Sequence, residues 1–130
     1  MQRQEIEKYI NENYDCMEEH PWNDTPNFAT FKHSDNKKWF ALIMDIPYDR
    51  LKINKDGYVD VINLKNIPEF IGGLRQINGI FPAYHMNKEH WISVILDGTL
   101  DVKKIKELID LSYEITRTKT KRKETKKKNG

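Results

Sequence analysis

The chain has 130 residues, 38% of them hydrophobic and 32% charged, which is enough for one ordinary domain with a buried core and a well-solvated surface. No run of about eighteen apolar residues is present to span a membrane, and the opening MQRQEIEKYINEN lacks the hydrophobic core of a signal peptide, so a cytoplasmic protein is expected. The net charge of +2 hides an asymmetry: residues 117–130 hold eight basic and one acidic side chain, while the rest of the chain holds fourteen basic and nineteen acidic ones.

Ile6, Tyr9, Ile10, Tyr14 and Met17 recur at three- and four-residue spacing, with Glu5, Glu7, Lys8 and Glu12 between them. This predicts an amphipathic helix over roughly residues 2–14. The prolines and turn formers of residues 20–26 end it. Residues 28–33 and 38–44 read as strands joined by the polar turn Ser34-Asp35-Asn36-Lys37, a hairpin whose second strand is apolar enough to be central. A looser passage with Pro47 runs to the Asp56-Gly57 turn, and residues 58–64 form a third strand. Asn66 is placed to cap a helix, with Pro68 in its first turn and Glu69 three residues on; Ile67, Phe70, Ile71, Leu74 and Ile77 are its expected buried stripe. Gly72-Gly73 inside that helix costs about 1 kcal/mol each relative to alanine, so either a neighbour packs close to the backbone there or the helix is short. Asn78-Gly79 ends it.

Residues 79–98 are the densest in chemistry. An Ile-Phe-Pro entry leads into Tyr84-His85-Met86-Asn87-Lys88-Glu89-His90-Trp91, then an apolar strand at 92–96 and the Asp97-Gly98 turn. Asp101 is a good cap for a last helix, with Leu100 and Ile105 placed as a hydrophobic staple and Leu108, Ile109, Ser112 and Tyr113 continuing the inward face to about Thr116. Residues 117–130 contain no apolar side chain and are expected to be a disordered basic tail. The order α-β-β-β-α-β-β-α over residues 1–116 predicts a two-layer α+β domain, a mostly antiparallel sheet with helices, present as a monomer.

Hydrogen-bond donors and flat rings are concentrated in the polar knot. Lys88 suits a phosphate, Asn87 a base or phosphate, and Tyr84, His85 and Trp91 offer stacking faces. A plainer reading is also open: a rigid turn in which His85 and Asn87 satisfy backbone groups and Trp91 joins the core. The middle of the body holds its positive part, Lys32, Lys37, Lys38, Lys52, Lys55, Lys65 and Arg75. Lys37 and Lys38 would touch phosphates if the hairpin is a wing; lysines there also protect sheet edges. Cys16, His20, His33, His85 and His90 match no zinc pattern, no phosphate-cradling loop precedes a helix, and a Cys16–His20 pair lacks an orienting third group. Neither a metal, a cofactor nor an enzyme activity is expected.

PAYHMNKEHWISVILDG followed by LIDLSY resembles the signature of the MmcQ/YjbR family, and the likeness extends to KWFALI, VDVINLK and IPEFIGGLRQ, from Phe28 to Tyr113. The resemblance implies small DNA-binding proteins with a compact fold similar to type III secretion chaperones and a sheet compared with a double-wing DNA-binding motif. DNA is then the expected partner, met by Lys37, Lys38, Lys65, Tyr84, His85, Asn87, Lys88 and Trp91 together with the basic tail. The alternative is a protein-interaction module that holds a partner segment on its sheet face, in keeping with the acidic balance of the body.

Overall fold

The apolar spacing of the first segment closes into α1 (Gln2–Asn13), whose Ile6 and Ile10 are fully buried. The structure, a computed structural model, describes residues 2–118, so most of the expected tail lies outside the described residues. β2 (Ala29–His33) and β3 (Trp39–Pro47) form the expected hairpin; a 3-10 turn (Tyr48–Leu51) leads toward β4 (Tyr58–Lys65). Then come α2 (Pro68–Leu74), β5 (Ile80–Pro82), β6 (Trp91–Ile95) and α3 (Val102–Ile115). Asp101 caps α3 by accepting the Lys103 N–H at 3.2 Å. No helix among the described residues is long and apolar enough to cross a membrane.

One strand was not expected. β1 (Cys16–Glu19) pairs with β2 from Cys16↔His33 to Glu19↔Thr30, so Met17 belongs to an edge strand rather than to the α1 stripe. Its four residues carry no alternating apolar pattern, and the exposed edge of β2 recruits them through backbone pairing, with Lys32 of β2 adding an ion pair to Glu19. All neighbours in the six-stranded sheet, in order β1-β2-β3-β4-β6-β5, are antiparallel.

α2 also departs from expectation. Its cap position is Ile67, without a side-chain cap bond, because Asn66 lies one residue earlier, buried, with Oδ1 accepting the Ile67 N–H at 2.8 Å. A Cβ at Gly72 or Gly73 would meet nothing within 4 Å, so the glycines mark a short helix and not a close approach. Phe70, placed in the buried stripe by spacing, is 55% exposed, and of this helix only Ile71 is buried.

Alternation along the strands makes two apolar layers. Phe31, Ile43, Ile62, Leu64, Ile92 and Val94 face Ile6, Ile10, Ile105, Leu108 and Ile109 of the helices. Leu42, Met44, Ile46, Val59, Val61 and Ile95 face the other way, with Phe81 of β5 beside them and Trp22, Phe28, Leu51, Tyr84 and Met86 from connecting segments covering them. The register between β2 and β3 shifts from Phe31↔Ala41 to Lys32↔Trp39. This bulge sends Phe40 and Ala41 together into the helix-side core, while Trp39 joins Leu42 and Met44 on the loop-covered face. The ladder between β3 and β4 stops at Ala41↔Leu64. Just beyond it, the buried Ser112 hydroxyl from α3 donates to the Phe40 carbonyl at 2.5 Å and accepts the Lys65 N–H at 2.9 Å.

Candidate nucleic-acid interface

The polar knot is held onto the loop-covered face by a buried polar cluster. Asn63 on β4 and Ser93 on β6 are cross-strand partners. The Asn63 amide donates to the Tyr84 carbonyl at 2.8 Å, the Ser93 hydroxyl accepts the Tyr84 N–H at 2.9 Å, and the same hydroxyl donates to Asn63 Oδ1. Neither side chain is exposed to solvent. Tyr84 is therefore clamped through its backbone, and its ring lies 3.9 Å, centroid to centroid, from that of His85. His85 has a φ of 63°, a left-handed conformation that turns the chain outward and leaves the imidazole exposed.

On one side of this loop lies an aromatic cleft of about 430 Å³, lined by Trp22, Phe28, Trp39, Leu42, Met44 and Met86, with Asp24, Thr25, His85 and Asn87 as its polar groups. The Trp22 and Trp39 rings stand 5.9 Å apart at 87°, forming a corner. On the other side lies a cationic cleft of about 340 Å³, lined by Arg50, Lys52, Arg75 and Lys88 together with Leu51, Phe81, Pro82, Ala83 and Tyr84. No carboxylate lines it. Arg75 donates to the Lys88 carbonyl, which ties the turn after α2 to the loop, while its buried Nε has no hydrogen-bond partner among the described residues. A third hollow, lined in part by Asp24, Phe28, Asp45, Arg50 and Tyr84, shares residues with both and joins them along this face.

The expected site residues divide between these features. Tyr84 and Lys88 line the cationic cleft; His85 and Asn87 line the aromatic one. Asn87 also does the turn's work: its Oδ1 accepts the Glu89 N–H at 2.7 Å and its carbonyl the Trp91 N–H at 3.0 Å. Lys65 and Trp91 are cross-strand partners, both half-buried, on the strand positions that alternate onto the loop-covered face. Lys37 does not join them. It sits at φ 62° in the hairpin turn, and its ammonium folds back onto the Ser34 carbonyl at 2.6 Å and the Met17 sulfur at 3.4 Å, toward the β1 edge. Lys38 is exposed beside it, its N–H held by Asn36 Oδ1 at 2.8 Å. Lys32 is committed to Glu19 at 2.9 Å.

Arg50, Trp22 and Trp39 were not singled out by the sequence. Arg50-Leu51-Lys52 carried a usable signal, two cations flanking one apolar residue, and Leu51 is the buried anchor that aims both into the cleft. The tryptophans carried none, because Trp39 reaches the cleft only through the bulge.

Cys16 and His20 belong to separate environments. His20 bonds to Glu18 at 2.8 Å and to the Pro26 carbonyl at 3.1 Å. Burial, with help from Asp15 and Glu18, pushes the Cys16 thiol up to about 11. At pH 8 about one thousandth of it is thiolate, against about a quarter for an ordinary thiol. Alkylation by iodoacetamide is thus expected about a hundredfold slower in the native than in the urea-denatured chain. Rates within threefold of each other (about half a log unit) would refute that desolvation.

The sequence of residues 11–115 matches the model of the YjbR family. The chain belongs to the YjbR family. It is 40% identical over 115 residues to YyaQ of Bacillus subtilis (strain 168), covering 88% of this chain and 98% of that one. It is 43% identical over 83 residues to YjbR of Escherichia coli (strain K12), 63% of this chain and 69% of that one. The crystal structure of a Pseudomonas syringae protein superimposes with a TM-score of 0.87 at 53% identity, covering 90% of this chain and 100% of the other. The α+β architecture read from the element order is therefore the family's.

Proposed function

We propose that this YjbR-family chain is a DNA-binding protein that engages the phosphate backbone through the loop-covered face of its sheet. The observation that carries this reading is the cationic cleft: Arg50, Lys52, Arg75 and Lys88 gather around one hollow with no carboxylate in its lining. Outside the tail the chain has more acidic than basic residues, so such a gathering opposes the average charge of the body and focuses potential at one place. Lys65 on the same face, Lys38 on the β2–β3 hairpin acting as a wing, and the basic residues after Thr118 extend the attraction.

Titration of fluorescent DNA at about 50 and about 200 mM salt tests it, because each lost phosphate contact lowers the salt slope by about 1. The double variant Arg50→Glu/Lys52→Glu is expected to lower the slope by about 2 and to weaken binding at low salt. A chain ending at Thr118 keeps measurable affinity on this reading. No binding by that shortened chain, or a double variant that titrates like the parent, rejects it.

A second reading, a protein-interaction module, draws its support from the helix side. There the exposed Phe70 borders a groove between α2 and α3 with Leu74, Ile77, Leu108 and Leu111. On that reading the shortened chain has no affinity for DNA.

A further inference from the structure

We infer that the aromatic cleft receives an unstacked nucleobase, so that the nucleic acid held by this face is single-stranded. The inference rests on the DNA-binding reading and names the form of the ligand. Three features point to a base. The cleft is of a size that admits one flat heterocycle and its sugar, within the range of about 300–1,000 Å³ typical of small-molecule sites. Trp22 and Trp39, 5.9 Å apart at 87°, offer two walls at right angles, so a planar ring that lies face-on to one indole meets the other by its edge. Asp24, Thr25, His85 and Asn87 supply both acceptors and donors for the polar edge of the ring, which an aliphatic side chain would leave unsatisfied.

The neighbouring cleft supplies the charge complementarity. Four cations line a hollow that adjoins the aromatic one through a third, shared hollow, so a base in the first leaves its strand's phosphates beside Arg50, Lys52, Arg75 and Lys88. Two carboxylates, Asp24 and Asp45, lie along this path. Asp45 accepts from the Asn27 amide at 3.1 Å, and Asp24 stands at the aromatic end, where a base N–H, such as N3–H of thymine, and not a phosphate is placed. In duplex DNA every base is stacked and paired, and the cost of extruding one works against this geometry. A charged furrow combined with aromatic stacking surfaces is the general solution for single strands.

The test uses the full chain and three ligands of equal length: a deoxythymidine oligomer, the same backbone with abasic sites, and a duplex. The oligomer is expected to bind about tenfold or more tighter than the abasic strand of the same charge, and to quench indole fluorescence where the abasic strand does not. Trp39→Leu, which keeps the wall apolar but removes the flat ring, removes that advantage; Trp39→Phe retains most of it. Equal affinity for the oligomer and the abasic strand overturns the inference while leaving backbone binding intact, as does a duplex that binds as tightly as the oligomer. Binding by none of the three overturns the inference together with the reading beneath it, whereas binding without a base preference that still weakens in the Arg50→Glu/Lys52→Glu chain overturns the inference alone.

Discussion

Asn63→Leu is expected to lower the free energy of unfolding by about 2–4 kcal/mol. Leucine has nearly the shape of asparagine, so little packing is lost. What disappears is the donor to the Tyr84 carbonyl and the acceptor for the Ser93 hydroxyl, both in a region closed to solvent. Each buried group left without a partner costs about 1–3 kcal/mol. Because the clamp holds the loop that carries His85, Asn87 and Lys88, the same variant is expected to lose affinity for the deoxythymidine oligomer under conditions where it remains folded. Urea unfolding followed by far-ultraviolet circular dichroism measures the first effect. A change below about 0.5 kcal/mol, the range of an ordinary surface substitution, would show that the clamp does not hold the loop.

Ser112→Ala is expected to cost a similar amount, about 2–4 kcal/mol. The bulge at Phe40 interrupts the sheet where β3 and β4 would exchange their next hydrogen bonds, and the serine hydroxyl stands in for the missing peptide group on both sides. Removing one oxygen exposes no new surface and leaves a cavity smaller than a methyl group, so the loss comes from two unsatisfied backbone groups and not from packing. That distinction has its own readout: amide hydrogen exchange at Lys65 should accelerate beyond that of its neighbours Leu64 and Ile62. If the Lys65 amide stays as protected as theirs, the hydroxyl is not its partner in solution.

Local sequence was a good guide wherever an element is specified by its own residues. The spacing of Ile6 and Ile10, the hairpin signal around Ser34–Lys37 and the Asp101 cap each rest on interactions within a few residues, and the structure has α1, the β2–β3 hairpin and α3 there. β1 escaped notice because Cys16–Glu19 has no pattern of its own and becomes a strand only when β2 presents an edge. The α2 cap was misplaced because Asn66 is drawn inward, its N–H bonded to the His90 carbonyl at 2.9 Å from a loop far along the chain.

The candidate site divides in the same way. Tyr84, His85, Asn87 and Lys88 stand out in the sequence because polar and aromatic residues crowd one turn, and they do line the two clefts. The grouping of cations was legible only as a positive middle region, and it resolves into Arg50, Lys52, Arg75 and Lys88 rather than the hairpin lysines, since Lys37 is bent back onto its own turn.

Composition and periodicity determined most of the layers of this protein, α1, α3 and the central strands with the residues they turn away from water, because burial follows a repeat of two or of about 3.6 residues that is written in the chain; β1 and the exposed Phe70 fall outside that repeat. The tertiary structure decided which side chains share a cleft. Trp22 meets Trp39 across seventeen residues of sequence through a bulge, and Arg50 and Lys88 come to line one hollow together with the buried Leu51. Such meetings depend on register and on where connecting segments settle over the sheet, and no local propensity encodes either.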